Sequence, residues 1–308
     1  MPIDFSKPLY ALAPLAGWSD LPFRETVKLF GADLTVSEMI SANALAFNPR
    51  RSERLWKKSP LEAPYAVQLC ASDLKILQQA VEVINDQDGV DVIDLNAGCP
   101  APKVVRGGAG SALLKDPALL FSMVSALKKI SRKPLLSVKM RLGFGTKNGV
   151  ALSKACEDAG ADFLTVHGRT KSGGFTAPVD YEAIGEIKEK VKIPVIANGD
   201  IDSYEKALKV LEITSADGIM IGRAAMGAPW IFAELKERRR SVSAARSAAL
   251  SHFDACIKFY GNQGVLLFRK HLHRYSRGLD KAAKFRREIN NETDVKTVRG
   301  MIEEIMGA

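Results

Sequence analysis

The sequence has few cysteines, and they lie far apart. Its 308 residues include four of them, Cys70, Cys99, Cys156 and Cys256, and no two form a Cys-x-x-Cys pair. This spacing argues against a zinc site and against a framework of disulfide bonds. We therefore expect a protein without a bound metal, located in a reducing cytoplasm.

Long apolar runs are also missing. No run approaches the ~20 residues that a membrane-spanning helix needs. Residues 1–7 lack the basic stretch and apolar core of a secretory signal. With 46% hydrophobic and 26% charged residues, the composition is typical of a soluble globular protein, and no membrane partner is expected.

Positive charge is concentrated near the C-terminus. Residues 1–230 contain 28 Lys and Arg against 26 Asp and Glu, a net charge of +2, whereas residues 231–308 contain 16 against 9, a net charge of +7. Such a concentration is typical of a protein that binds a polyanion. The alternative is a solvated helical surface that is simply rich in Lys and Arg.

Between Leu9 and Arg223, short apolar runs alternate with longer amphipathic stretches. The runs are rich in Val, Ile and Leu without strict alternation, as expected for parallel strands buried on both faces. Eight strand–helix units in about 230 residues predict a TIM (β/α)8 barrel in the α/β class. A Rossmann domain is disfavoured, because the turn at 13–17 is not a Gly-x-Gly-x-x-Gly sequence. The predicted strands are 9–13, 33–38, 65–69, 90–95, 135–140, 163–167, 195–198 and 218–221, and the clearest helices are 73–86, 117–130, 150–159, 181–190 and 203–211.

After Trp230 the pattern changes to about four helical segments, broken near 261–264, 278 and 290–291. The sequence therefore predicts a catalytic barrel over 1–236 and a small all-helical bundle over 237–308, joined by a link at 237–241. On the second of these helices, Leu266, Leu267 and Leu272 are expected to face the bundle core. The same helix is predicted to carry a basic stripe of Arg269, His273 and Arg277, at four-residue intervals, with Lys270 and Arg274 beside them.

Polar groups follow six successive predicted strands at their carboxyl ends, where barrel enzymes place their chemistry. Two of these ends, Asn198-Gly199-Asp200 and Gly222-Arg223, predict a phosphate site, because glycine lets the backbone approach an anion and Arg adds charge-assisted hydrogen bonds. The other ends carry Gln68, Asn96 with Cys99, Lys139 with Arg141, and His167.

Cys99 and Lys139 are the strongest candidates for chemistry. An unperturbed thiol pKa of ~8.5 suits proton donation better than nucleophilic attack, and no base lies near Cys99 in the sequence to activate a thiolate. The alternative is a small buried hydrophobic cysteine. Lys139 has three interpretations: a structural ion pair, a Schiff-base nucleophile, or a cation beside a cofactor that accumulates negative charge, as a reduced flavin does.

Eight short motifs are spread along the chain, at 13–17 (APLAG), 94–100 (DLNAGCP), 103–106 (KVVR), 108–114 (GAGSALL), 138–141 (VKMR), 167–170 (HGRT), 198–201 (NGDI) and 221–230 (IGRAAMGAPW). With these motifs the chain resembles, over nearly its whole length, the tRNA-dihydrouridine synthase family. The tail, with Arg269-Lys270-His271 and Tyr275, is most similar to the bacterial B-type branch. Two departures from the family pattern are Leu15, where Met is usual, and the loop at 171–175, which we expect to contact RNA.

The resemblance implies reduction of the C5–C6 bond of D-loop uridines in tRNA to 5,6-dihydrouridine, by a monomer that uses FMN, with NADPH or NADH as the reductant. Cys99 would give the proton to C5 while hydride reaches C6. Asn96 and Arg141 would face the uracil, and Lys103, Arg106 and the basic stripe would receive phosphates. The residues implied to contact FMN are Pro14, Leu15, Ala16, Gln68, Lys139, His167, Asn198, Gly199, Asp200, Gly222 and Arg223.

Three other functions compete with this interpretation. An FMN barrel that acts on a free pyrimidine, as dihydroorotate dehydrogenases do, is disfavoured by the basic tail, because a free base needs no grip on phosphates. An aldolase would use Lys139 as its nucleophile. An RNA-binding barrel without catalytic activity is disfavoured by the presence of Cys99, Lys139 and Arg223.

Overall fold

A computed structural model describes residues 3–238 and 244–307 of the chain. Its strands are all parallel and form one sheet in the order β2-β1-β9-β8-β7-β6-β5-β4-β3, which closes into a barrel because β2 also pairs with β4. The predicted TIM barrel is thereby confirmed. The strands are β1 Leu9–Leu12, β2 Leu34–Val36, β3 Ile40–Ser41, β4 Tyr65–Cys70, β5 Val92–Ala97, β6 Leu135–Arg141, β7 Phe163–His167, β8 Val195–Asn198 and β9 Gly218–Ile221.

The second predicted strand, at 33–38, is interrupted. β2 and β3 both lie along β4, with Thr35 opposite Tyr65 and Ile40 opposite Leu69. The sequence offset across the pair changes from 30 to 29, so one extra residue is accommodated between β2 and β3 as in a bulge. The two short strands together therefore take the place of one of the eight strands of the barrel.

Helices connect the strands, and the five predicted helices are confirmed to within a few residues. Two of these helices are capped at their N-termini: the Asp116 side chain accepts the N–H groups of Ala118 and Leu119, and the Ser203 hydroxyl accepts that of Lys206. Such caps are each worth about 1 kcal/mol. The helices are α1 Leu21–Leu29, α2 Ala42–Phe47, α3 Pro49–Trp56, α4 Leu74–Asn85, α5 Pro102–Arg106, α6 Pro117–Ile130, α7 Gly149–Asp158, α8 Tyr181–Lys190, α9 Tyr204–Thr214, α10 Ile231–Glu237, α11 Ala244–Tyr260, α12 Gln263–Tyr275, α13 Ala282–Ile289 and α14 Val295–Gly307, with a 3₁₀-helix at Gly110–Lys115.

The strands are buried on both faces, which explains their continuous apolar runs. On β1, Ala11 belongs to a cluster that fills the barrel interior together with Phe163, whereas Leu12 packs between the strands and the outer helices. Because alternate side chains point to opposite faces of a strand, both faces must be apolar. The core stops at the carboxyl ends, where the polar residues begin.

The tail helices α11–α14 enclose a separate apolar cluster around Phe253, Phe268 and Leu272. Leu272 is buried as predicted, but the prediction for Leu266 and Leu267 is wrong, since they are 50% and 39% exposed. The inward face of α12 is instead formed by Gly264, Val265, Phe268, His271, Leu272 and Tyr275, which recur with helical periodicity.

The predicted basic stripe is also corrected at its end. α12 ends at Tyr275, so Arg277 lies in the turn that follows, where Gly278 has a φ of 78°. The predicted link at 237–241 extends past the described residues beyond Arg238, and the domain boundary at 236/237 stays a prediction. Within the described ranges, no helix is long and apolar enough to cross a membrane.

Candidate active site

A chain of hydrogen bonds runs across the carboxyl ends of β4, β5 and β6. The Asp94 carboxylate accepts the Ser137 hydroxyl at 2.5 Å and the Gln68 amide at 2.6 Å. The Gln68 oxygen accepts the Asn96 amide at 2.7 Å, and the Asn96 oxygen accepts the backbone N–H of Cys99 at 2.9 Å. Burial raises the pKa of Asp94, while its two donors act in the opposite direction. This Asp94–Cys99 chain ties the candidate proton donor to the barrel.

Cys99 lies just beyond the end of β5, in a half-buried turn. The 3₁₀-helix that follows begins at Gly110, whose φ is 60° and whose added Cβ would lie 3.1 Å from the Cys99 Cβ and 3.0 Å from its carbonyl oxygen. Only glycine satisfies both the backbone conformation and the close approach. The Cys99 turn is therefore held from below by Asn96 and packed from the side by Gly110.

Lys139 lies opposite Asn96 in the pairing of β5 with β6. Its ammonium donates to the Asn198 side-chain oxygen at 3.1 Å, and the Asn198 amide donates in turn to the Met220 carbonyl at 2.8 Å. Burial lowers the pKa of Lys139 to about 8, against the attraction of Asp94. The ammonium thus binds an amide rather than a carboxylate, which leaves its positive charge available to an anionic ligand.

His167 and Arg169 each have a buried nitrogen without a hydrogen-bond partner, Nδ1 of the imidazole and Nη1 of the guanidinium. Burial, together with the charges of Lys139, Arg141 and Arg169, lowers the pKa of His167 to about 2, so the ring is neutral. A buried polar atom without a partner costs about 1–3 kcal/mol. Polar groups of a bound cofactor would satisfy these two atoms.

The residues of the predicted phosphate site follow the ends of β8 and β9. The Asp200 carboxylate accepts from both Arg169 and Arg223, and the Arg169 hydrogen bond is the main cause of the lowered pKa of Asp200. Gly199 has a φ of 133°, and a Cβ there would lie 2.9 Å from Val179. Around Gly222 the nearest atoms to an added Cβ are 3.6 Å away, on Ala13. The open backbone, the arginine and the unpartnered nitrogens fit a phosphate-bearing cofactor such as FMN.

Arg141 bridges the Cys99 turn and the loop at 171–175. Its guanidinium donates to the carbonyls of Gly98 at 3.0 Å, Thr170 at 3.0 Å and Gly174 at 2.9 Å. The Phe175 ring, 55% exposed, has the Arg141 guanidinium carbon 5.2 Å from its centroid and that of Arg223 5.3 Å away. These are cation–π contacts. The loop that departs from the family pattern therefore lies over the two arginines of the site.

The basic tail residues are divided by the structure. Arg269 donates to the Glu292 carbonyl at 2.9 Å. It lies one turn before His273 on α12, and its place in the basic stripe stays a prediction. The remaining four line a cleft of about 590 Å³ between the barrel and the tail, which we name the seam cleft. Its walls are Trp18, Lys270, His273, Arg274, Arg277, Gly278 and Arg286.

Sequence reasoning missed several of these residues. Trp18 and Arg286 carry no local signal, since a lone Trp and one Arg among many are unremarkable. Next to the seam cleft, Asp20, His252 and His271 are buried with potential ligand atoms all within 4.8 Å of one another. The Tyr260 hydroxyl donates to Asp20 at 3.0 Å. The expectation of a protein without a metal stays a prediction.

The chain is similar to known proteins over nearly its whole length. The family model described as dihydrouridine synthase (Dus) matches residues 11–306. A probable tRNA-dihydrouridine synthase of Helicobacter pylori (strain ATCC 700392 / 26695) is 45% identical over 306 residues, which cover 98% of this chain and 93% of that protein. The tRNA-dihydrouridine synthase B of Pseudomonas aeruginosa is 40% identical over 294 residues, covering 92% and 88%. A chain in the crystal structure of the Amycolatopsis orientalis BexX/CysO complex has a TM-score of 0.51 at 20% identity, covering 79% of this chain and 91% of that one, which bears on the fold alone.

Proposed function

The chain belongs to the dihydrouridine synthase family, and on this premise we propose that it reduces the C5–C6 bond of D-loop uridines in tRNA to 5,6-dihydrouridine. FMN is its cofactor, NADPH or NADH the reductant, and Cys99 the proton donor. The observation that carries the proposal is the Asp94–Cys99 chain, which fixes a half-buried thiol beside Lys139 and Arg141 at the strand ends.

The residues at the strand ends fit FMN by their chemistry. Arg223, Gly199 and Gly222 would receive the phosphate, with Asn198 and Asp200 at the ribityl chain. The isoalloxazine would lie against Pro14, Leu15, Ala16, Gln68, Lys139 and His167. When bound, FMN supplies the hydride that reaches C6 of the uracil.

Lys139 and Gln68 have distinct tasks in this arrangement. With a pKa of about 8, Lys139 is mostly an ammonium at pH 7 and stabilises negative charge next to it. The Gln68 amide is engaged by Asp94 and Asn96 through one N–H and its oxygen, which leaves its second N–H for the cofactor. Gln68 therefore connects the cofactor to the turn that carries Cys99.

Cys99 completes the reduction by proton transfer. The thiol gives its proton to C5 as C6 receives hydride, so the uracil gains one hydride and one proton, and the thiolate regains a proton from solvent. Lys139 and Arg141 both interact electrostatically with Cys99. Two cations therefore lie near the sulfur that carries negative charge after the transfer.

The substrate must be extruded from folded RNA to reach this turn. Arg141 is held by three backbone carbonyls, which suits a fixed contact with the uracil beside Asn96. Lys103 and Arg106 on α5 are exposed immediately beyond Cys99 and would receive phosphates at the pocket mouth. The positively charged residues of the tail, Arg269 included, would bind phosphates of the RNA backbone farther from the pocket.

Absorbance spectroscopy tests the proposal directly. The purified protein should be yellow near 450 nm, bleach on addition of NADPH, and recover its colour when tRNA lacking dihydrouridine is added. Free uridine and orotate are the controls and should not restore the colour. Recovery with orotate instead of tRNA, or a protein that cannot be reconstituted with FMN, would overturn the proposal.

A further inference from the structure

The seam cleft opens on the same face of the barrel as Cys99. Trp18 lies in the loop that follows β1, directly after the segment expected to pack against the cofactor. The backbone N–H of Trp18 donates to the Leu15 carbonyl at 2.8 Å, and the Lys270 ammonium donates to the Gly17 carbonyl. The loop and α12 are therefore fixed to one another at the cleft.

Trp18 presents an aromatic surface framed by positive charge. Trp18 is half-buried. The Lys270 ammonium and the Arg274 guanidinium carbon lie over its ring, 5.5 Å and 5.6 Å from the ring centroid. His271 meets the indole edge-on at a centroid distance of 4.9 Å, so the ring is supported from the tail side. An indole held in this way is a preformed stacking platform that loses little side-chain entropy on binding.

The charge of the cleft has one sign. Among the residues that the structure describes, its lining includes four Lys and Arg residues and one histidine, and no Asp or Glu. Arg286 reaches it from α13 and makes a long contact of 3.5 Å with the Ser276 hydroxyl. Cations gathered around an aromatic ring, with no acid among them, match the two chemical elements of a nucleotide: a π-face and a phosphate.

We propose that the seam cleft binds one unpaired nucleotide of the tRNA, with its base stacked on Trp18 and its flanking phosphates on Arg277 and Arg286. The proposal rests on tRNA being the substrate. None of the strand-end residues lines the cleft, so the nucleotide held there is a different one from the uridine that is reduced. Holding a second nucleotide on the same face helps to keep the target strand open, because an extruded base otherwise returns to its stack.

The size of the cleft supports a single nucleotide rather than a duplex. A volume of about 590 Å³ is within the range of pockets that enclose small ligands, whereas duplex RNA is recognised on broad, shallow surfaces. Stacking on an aromatic side chain tolerates any base. We therefore expect the cleft to contribute affinity without base specificity.

Three substitutions and one matched control test the site through tRNA binding, measured without reductant. Stacking is worth roughly 1–3 kcal/mol per base, so Trp18→Ala should weaken tRNA binding about 5- to 150-fold, and Trp18→Phe should retain most of the affinity. Arg286→Gln should reduce the salt dependence of binding by about one counterion. Arg287→Gln, which removes an exposed charge from the adjacent position of α13 outside the cleft, should leave it unchanged.

Two further readouts separate this proposal from the proposed function. Bleaching by NADPH should be identical in all four variants, whereas KM for tRNA should rise in Trp18→Ala. The nucleotide site would be overturned if folded Trp18→Ala bound tRNA as tightly as the wild type does. Equal salt slopes for Arg286→Gln and Arg287→Gln would overturn it as well. A rise in KM for NADPH with tRNA binding intact would assign the cleft to the reductant instead. Failure of wild-type protein to reduce tRNA that it binds would count against the proposed function alone.

Discussion

The side-chain oxygen of Asn96 accepts the backbone N–H of Cys99 at 2.9 Å and that of Gly98 at 3.2 Å. The family resemblance places Asn96 against the uracil, yet both polar atoms of its side chain are engaged within the protein, since the amide nitrogen donates to Gln68. A second N–H of that nitrogen is left for a substrate. Asn96 therefore holds the turn that carries the thiol, in addition to any contact with the base.

Asn96→Ala should lower kcat for tRNA reduction by about 10- to 100-fold. Displacing a reacting group by about 1 Å can reduce the rate of the chemical step by that factor. Asn96→Asp keeps the acceptor for the Cys99 N–H and should retain more activity than the alanine variant. Single-turnover reoxidation of the reduced protein by tRNA measures the effect. Equal rates for wild type and Asn96→Ala would show that the turn needs no such support.

Cys99→Ala should retain its yellow colour, bleaching by NADPH and tRNA binding, but lose about 10²- to 10⁴-fold in turnover, the usual contribution of a general acid. Cys156→Ala is the control, because Cys156 is fully buried on α7 and packs in the apolar cluster between the barrel and its helices. That variant should lose some stability and no catalytic rate. Full activity in Cys99→Ala would remove the thiol from the mechanism.

The Asp94–Cys99 chain shows where sequence reasoning stopped. The strand ends could be predicted because apolar runs buried on both faces are easy to recognise, and each run ends at a polar residue. The chain depends on register: Asp94 lies opposite Gln68 on one side and Ser137 on the other. A one-residue shift would point these side chains to different faces. Local sequence does not contain that information, so Asp94 was given no role.

The tail was predicted less well, for a related reason. The charge asymmetry and the number of helices were visible in the sequence, but the inward face of α12 depends on where the helix meets α11 and the barrel. That contact selects Phe268, His271 and Tyr275 and leaves Leu266 exposed. A helix with apolar and aromatic residues on several sides could bury more than one face. Only its packing against neighbouring helices decides which face is buried.

The affinity of the apoprotein for FMN should fall as pH rises through about 8. Burial lowers the pKa of Lys139 to about 8, so the positive charge near the isoalloxazine is present below that pH and lost above it. Binding of an anionic cofactor shifts the midpoint upward, since it favours the charged amine. Fluorescence titration with FMN from pH 6.5 to 9.5 measures the effect. Lys139→Met should bind weakly throughout and lose this pH dependence, and an unaltered profile in that variant would assign it to another group.

Lys103 and Arg106 should contribute to RNA binding through phosphates. Lys103→Gln and Arg106→Gln should each weaken tRNA binding and reduce the slope of log K against log salt by about 1, since each removes one phosphate contact. Lys209→Gln, which removes an exposed charge from α9, is the control and should behave like wild type. If log K falls with log salt at the same slope in all three variants, α5 does not contact the phosphate backbone of the RNA.

Acid should destabilise the fold through its buried histidines. Burial, helped in both cases by the charge of Lys270, lowers the pKa of His252 to about 3 and that of His271 well below its usual 6.5. In the unfolded chain both rings bind a proton near pH 6.5, whereas in the folded protein they stay neutral. The unfolded state therefore binds more protons in this window, and stability is present above pH 6.5 and lost as the pH falls.

The expected loss between pH 7.5 and 5.5 is about 1.4 kcal/mol for each such histidine, measured as the free energy of unfolding in urea. His252→Gln should unfold at lower urea at pH 7.5, because the hydrogen bond between the imidazole and the Tyr275 hydroxyl is removed, but its stability should fall less on acidification. His273→Gln is the control, because it removes an imidazole that lines the open cleft and meets Asn290 at the surface, and it leaves the two buried rings in place. If His252→Gln lost as much stability between the two pH values as wild type, the His252 ring would be protonated in the folded state, with the Asp20 carboxylate as its counter-charge, rather than neutral against Phe23 and Phe268.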